Sequence, residues 1–139
     1  MTQHRFSVDA MIDELPAGLD RAILRILSFH RGQENGISAK SLLEDLARLG
    51  FNYISSDRKG NKNYNDRPVR AQIVMMRRNG CLIGAKPGKG YYLITSRQEY
   101  EDFKQAEYAA KIKDMSETMR AMDKTAEAEF GSGYQPVLF

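Results

Sequence analysis

Apolar residues recur at helical spacing in four segments of the chain and at strand spacing in one. Leu19, Ile23, Ile26, Leu27 and His30 follow an i, i+4, i+7 rhythm, which is the mark of one buried helix face. A first helix is therefore predicted from about Asp20 to His30, stopped by Gly32-Gln33-Glu34-Asn35-Gly36. Ile37 is read as a lone short strand, and Ser38 as the N-cap of a second helix. In that helix Leu42, Leu43, Leu46 and Leu49 form the apolar stripe, and Gly50 ends it. Residues 51–65 (FNYISSDRKGNKNYN) are rich in turn formers and show no period, so a loop is expected. It is long for a helix–helix connection, which usually takes about two to eight residues. A third helix follows, capped by Asn65 or Asp66, with Pro68 tolerated in its first turn and Asn79-Gly80 as its stop.

Downstream, CLIGAKPGKGYYLITS (81–96) places two short β-type runs on either side of Lys86-Pro87-Gly88-Lys89. Proline presets φ near −65° and glycine accepts φ > 0, so Pro87-Gly88 fits the centre of a type II turn. A hairpin with a lysine on each side of its tip is predicted. Ser96-Arg97-Gln98-Glu99 has the form of a capping box and opens a long helix to about Ala128. The expected organisation is an N-terminal arm (1–16), a folded domain (17–95), a long helix (96–129) and a tail (130–139).

Composition bounds the class of protein. With 42% hydrophobic and 28% charged residues among 139, one packed domain with appendages is expected. No run of about 18 apolar residues offers a membrane span. Acidic residues interrupt the start, MTQHRFSVDAMIDELP, where a signal peptide needs an apolar run. A single cysteine, Cys81, suits a reducing compartment; a cytoplasmic location is expected. The net charge of +3 hides an uneven distribution: residues 51–95 carry nine Lys or Arg against two Asp or Glu. The segments on either side are slightly acidic. A concentrated basic block attracts polyanions, nucleic acid first among them.

The third helix holds the most informative pattern. At roughly 100° per residue, Arg67, Arg70, Arg77 and Arg78 fall within an arc of about 100°, while Val69, Ile73 and Met76 lie opposite. After Asp66 this helix has no acidic residue to balance them, unlike an ordinary solvated face, which mixes signs. Such a helix fits the major groove, where arginine contacts guanine O6 and N7 or phosphates. Arg67 and Arg70 are assigned to base or near-base contacts, and Arg77 and Arg78 to phosphates. Lys86 and Lys89 at the hairpin tip, and Arg58, Lys59 and Lys62 in the 51–65 segment, are further candidate phosphate contacts. One of Tyr91 and Tyr92 should be buried, because strand neighbours face opposite ways.

The order helix, short strand, helix, basic helix, two-stranded hairpin resembles the winged helix-turn-helix plan. The runs Asp66-Arg67-Pro68-Val69-Arg70-Ala71-Gln72-Ile73, Arg77-Arg78-Asn79-Gly80-Cys81-Leu82-Ile83 and Gly88-Lys89-Gly90-Tyr91-Tyr92-Leu93 look like the winged helices of bacterial regulators and phage replication proteins, and the wing is similar to that of the biotin-repressor type. The resemblance covers residues 20–95. It implies an α+β, mainly α, fold with a two-stranded wing and a long C-terminal helix. It further implies duplex DNA binding in transcriptional regulation or replication of a bacterium, phage or mobile element. The long 51–65 connection departs from the family's tight turn; it either displaces the second helix from DNA or supplies a basic arm.

Other chemistry finds little support. GAKPGKG (84–90) falls one residue short of a phosphate-binding loop, lacks the Ser/Thr after its lysine and leads into a strand. His4, His30 and Cys81 have no ligand spacing, and no nucleophile–base pattern is visible. Neither enzymatic activity nor a metal or cofactor is expected. Two features suggest protein partners. Tyr108, Ile112, Met115, Met119, Met122 and Ala126 alternate spacings of four and three, an a/d stripe suited to packing on its own domain or to a homodimer. The terminal Gln135-Pro136-Val137-Leu138-Phe139 resembles the short peptide by which bacterial replication and repair proteins engage the sliding clamp. In that resemblance Gln135, Leu138 and Phe139 are the binding residues, and Pro136 departs from the favoured leucine. The alternative function is accordingly a protein-interaction adaptor.

Overall fold

The computed structural model describes residues 18–131. The N-terminal arm, His4 and the Gln135, Leu138 and Phe139 peptide lie outside these residues. The chain divides into two compact units at the Tyr100–Glu101 boundary, and each is considered separately.

In the first unit, helix α1 (Leu19–Leu27) buries Ala22, Ile23, Leu24, Ile26 and Leu27. It stops three residues before the predicted end. Phe29 and His30 instead bond back to the carbonyls of Ile26 and Leu27, the tighter i→i−3 geometry that commonly closes a helix. The apolar rhythm that includes His30 thus continues through a turn rather than a helix. A 3₁₀ turn (Gln33–Asn35) follows, and His30 Nδ1 lies 2.8 Å from the Asn35 carbonyl. Helix α2 (Ala39–Arg48) is capped as expected, with the Ser38 hydroxyl accepting from Ser41 N at 3.1 Å. Leu42, Leu43 and Leu46 are wholly buried, each contributing roughly 2 kcal/mol of hydrophobic stabilisation. Leu49 does not join them. It occupies the C-cap position and is 46% exposed, because the backbone leaves the helix before the stripe can take its next step.

The 51–65 segment is a second hairpin rather than a loop. Strand β1 (Ile54–Ser56) pairs antiparallel with β2 (Lys62–Tyr64), placing Ile54 opposite Tyr64. Both residues, with Phe51 and Tyr53, pack on the core. The tip is organised by Asp57, whose carboxylate accepts from the backbone N–H of Lys59 and of Asn61, each at 2.9 Å. Helix α3 (Arg67–Arg78) begins immediately after, with Pro68 in its first turn. Its buried residues are Val69, Ile73 and Met76, and α1 packs against both α2 and α3.

The hairpin β3 (Ile83–Lys86) and β4 (Gly90–Leu93) closes the unit. The bond from Lys89 N to the Lys86 carbonyl (2.9 Å) and Gly88 at φ +82° form the expected tip turn. Ile37 forms a single-residue bridge where the short strand was expected: it exchanges two backbone bonds of 2.8 Å with Tyr91, on the edge of β4 that β3 leaves open. This crossing is close. A Cβ at Gly90 would overlap the Ile37 carbonyl, and one at Gly36 would overlap the Lys89 carbonyl. Tyr92 is the buried tyrosine of the pair.

Helix α4 (Arg97–Lys104) starts on a modified capping box. The Ser96 hydroxyl accepts from Glu99 N at 3.1 Å, but Glu99 reaches Thr95 N and Gln33 N, both at 2.9 Å, rather than Ser96. In the second unit a π-helical turn (Gln105–Ala109) joins this helix to α5 (Ala110–Phe130). The fold is thus α+β and mainly helical, with two β-hairpins and a long helical C-terminal region. Among the described residues no helix is long and apolar enough to cross a membrane.

Candidate nucleic-acid interface

Helix α3 separates its two kinds of side chain as the wheel demands. Val69 and Ile73 are 1% exposed, and Met76 is 3% exposed, while Arg67, Arg70 and Arg78 are exposed. The core contacts of the apolar stripe set the rotation of the helix and hold the three arginines outward. Arg77 behaves differently. It is half-buried, and its Nε donates to the Ile83 carbonyl at 2.8 Å. That bond crosses from the end of α3 to the start of β3. Arg77 therefore helps join helix to hairpin, whereas the sequence had grouped it with phosphate contacts.

The remaining arginines have light engagements. Arg70 Nε lies 3.3 Å from Asp66 Oδ1, both side chains being substantially exposed. An exposed i,i+4 pair of this kind is screened by water and easily exchanged for another anion. Arg78 Nη1 donates to the thioether of Met75 at 3.8 Å. Among the described residues no ion pair holds Arg67 or Arg78.

Basic hairpins precede and follow α3 in the chain. In the first, Arg58, Lys59 and Lys62 are all exposed. The Asp57 carboxyl is held below the usual carboxylate range, first by the Asn61 backbone N–H and then by further bonds within the turn. Asp57 thus remains ionised and spent on its own backbone, leaving the three cations turned to solvent. Lys40, from α2, lies 5.4 Å from the Tyr64 ring centroid, a cation–π contact that adds positive charge beside β2.

In the second hairpin, Lys86 and Lys89 are exposed at the tip, but an acidic residue meets them. Lys89 Nζ lies 2.8 Å from Glu34 Oε2. That hydrogen bond, the Lys89 charge and, more weakly, the Lys86 charge lower the Glu34 pKa. The net charge of this tip is smaller than its two lysines suggest. Glu34 sits 55 residues from Lys89 in sequence, so no local pattern could reveal the pairing.

Val74 is also absent from the sequence-derived set, although its wheel angle falls inside the arginine arc. It is 43% exposed, and its neighbour Met75 is 49% exposed. An apolar side chain amid guanidinium groups matches the thymine methyl in the major groove. The signal was its angle; its small size hid it.

Other candidates fall elsewhere. Tyr108, Ile112, Met115, Met119 and Met122 are 41% to 70% exposed in the second unit. Cys81 is buried, and burial, aided by the Asp20 charge, pushes its thiol pKa up, which suits a packing role. Among the described residues no cluster of His, Cys, Asp and Glu could hold a metal ion. No protein-family model, curated protein or solved structure matches the chain.

Proposed function

We propose that the protein binds duplex DNA as a winged helix, with α3 as the recognition helix and β3–β4 as the wing, in transcriptional regulation or replication of a bacterium, phage or mobile element. The carrying observation is the outward set of Arg67, Arg70 and Arg78, opposed to the buried Val69, Ile73 and Met76 stripe. The element order, with Ile37 paired to the return strand of the hairpin, supports the winged-helix reading. The β1–β2 hairpin is then an insertion between second helix and recognition helix, and its Arg58, Lys59 and Lys62 act as a second phosphate-binding arm. Lys86 and Lys89 contact phosphate from the wing. Val74 reads a thymine methyl at the centre of the helix surface.

Phosphate contacts release counterions, so affinity falls with salt at a slope of about 0.9 per neutralised phosphate. The substitution Arg78→Ala, at the exposed phosphate-contacting arginine of α3, should weaken binding to a random duplex and flatten that slope by up to about 0.9, whereas Arg67→Ala with Arg70→Ala should lower the preference for a selected site over random duplex. Mobility-shift titrations from low to moderate salt measure this. An unchanged slope would remove the helix from the interface. The adaptor reading rests on Gln135, Leu138 and Phe139, which lie outside the described residues, and nothing among the described residues favours it.

A further inference from the structure

We infer that the exposed stripe of the C-terminal helix pairs with the same stripe of a second copy of this chain, the two helices running antiparallel. The inference does not rest on DNA binding. Its first support is continuity. A π turn carries one residue more per turn than the α-helix register. The turn at Gln105–Ala109 therefore moves the apolar face from Phe103 to Tyr108 instead of losing it. The two rings meet edge-to-face with centroids 5.7 Å apart. From there Ile112, Met115, Met119, Met122 and Ala126 continue in alternating steps of three and four. Ile112 and the three methionines are 62% to 70% exposed. An apolar seam of this period, left in water along a 21-residue helix, has the form of one side of a coiled coil.

The flanks identify the occupant and its direction. Beside the seam stand Ala109, Ser116, Thr118 and Thr125, small or uncharged residues that allow close approach of an identical helix, with only Lys111 and Asp123 charged. Charge is also graded along the helix: Lys111 and Lys113 outweigh Asp114 near its start, and Asp123, Glu127 and Glu129 outweigh Lys124 near its end. A parallel pair would gather both copies' lysines at one end and both copies' carboxylates at the other. In an antiparallel pair, Met115 of one copy meets Met119 of the second. Lys113, at the outer edge of the flank that carries Asp123, then comes within about 3 Å, along the helix axis, of the level of Asp123 of the second copy, near enough for its long side chain to reach, and two-fold symmetry repeats the match. The helix dipoles also oppose favourably in this direction.

Sedimentation equilibrium of the full chain, from about 1 to about 100 µM, should show reversible dimerisation. Met115→Asp with Met119→Asp should give a monomer across that range. Lys113→Asp alone should weaken the dimer about tenfold, and adding Asp123→Lys should bring it back to within about threefold of the original. Direction is read by oxidative cross-linking, with the native Cys81 buried. Ser116→Cys lies near the two-fold axis and should link, whereas Ile112→Cys, distant from its own twin, should not. A wild-type chain that remains monomeric, or a dimer indifferent to the paired aspartates, overturns the inference. Linking through Ile112→Cys but not Ser116→Cys overturns the antiparallel arrangement.

Discussion

Glu34 and Lys89 show how one side chain can set the strength of a basic surface. Their contact leaves the tip of β3–β4 with less net charge than its lysines imply, yet it is exposed and weakly held. A polyanion can compete with Glu34 for the lysine. Glu34→Gln removes the competitor without altering the backbone, so duplex affinity at low salt should rise about threefold, with a salt slope steeper by at most about 0.9. Filter-binding titrations of the two proteins would measure it. Val74 makes a contrasting case. Val74→Ser should reduce the preference for a selected site over random duplex by roughly tenfold while leaving the salt slope unchanged, because the lost contact is apolar. Arg77 belongs to a third type: its bond to Ile83 serves the fold, and its substitution should lower stability before it lowers affinity.

At the scale of elements, the joints between segments depend on a few buried or close contacts. Gly90→Ala brings a Cβ onto the Ile37 carbonyl at a backbone φ of +83°, where an L side chain is already strained. A loss of roughly 3 kcal/mol or more is expected by urea unfolding, with the crossing between the 37 region and β4 disrupted. Glu99 forms another joint, tying the start of α4 to Thr95 and to the 3₁₀ turn. Burial pushes its pKa up, but the backbone N–H groups of Thr95 and Gln33, with the Thr95 hydroxyl, bring the net value below the ordinary one. A carboxyl depressed in the folded state stabilises fully above the unfolded pKa, and that stabilisation disappears as pH falls through the folded value. The stability gap between wild type and Glu99→Gln should therefore be largest near neutrality and close in acid, below roughly pH 4. Thermal melts across that range would show it; a gap independent of pH would place the effect elsewhere.

For the molecule as a whole, the uneven charge matters more than its total. If α3 and its neighbouring hairpins together neutralise about five phosphates, raising salt from about 50 to about 200 mM should weaken duplex binding by roughly 10²–10³-fold. A salt-insensitive complex would contradict a polyanion interface. Pairing through α5 would give each DNA-bound assembly two basic surfaces. Half-sites related by a two-fold axis are then favoured over direct repeats, a preference that selection of binding sites from random duplex can reveal.

The apolar stripes of α1, α2, α3 and α5, the Ser38 cap, the Pro87-Gly88 turn and the helix ends at Gly50 and Gly80 were legible in the chain alone. Each depends on a handful of adjacent residues whose periodicity, capping chemistry or allowed φ is decided locally. The outward arginines of α3 were legible for the same reason, since a buried stripe fixes the rotation of its helix. Tertiary structure alone decided the β1–β2 hairpin, whose inward residues Ile54 and Tyr64 declare themselves only against an existing core. It alone paired Ile37 with Tyr91, Glu34 with Lys89, and Glu99 with Gln33, 66 residues away. It also exposed Leu49 and drew Arg77 toward Ile83. These contacts join segments distant in sequence or turn on where the backbone departs from a helix, and no local pattern records either.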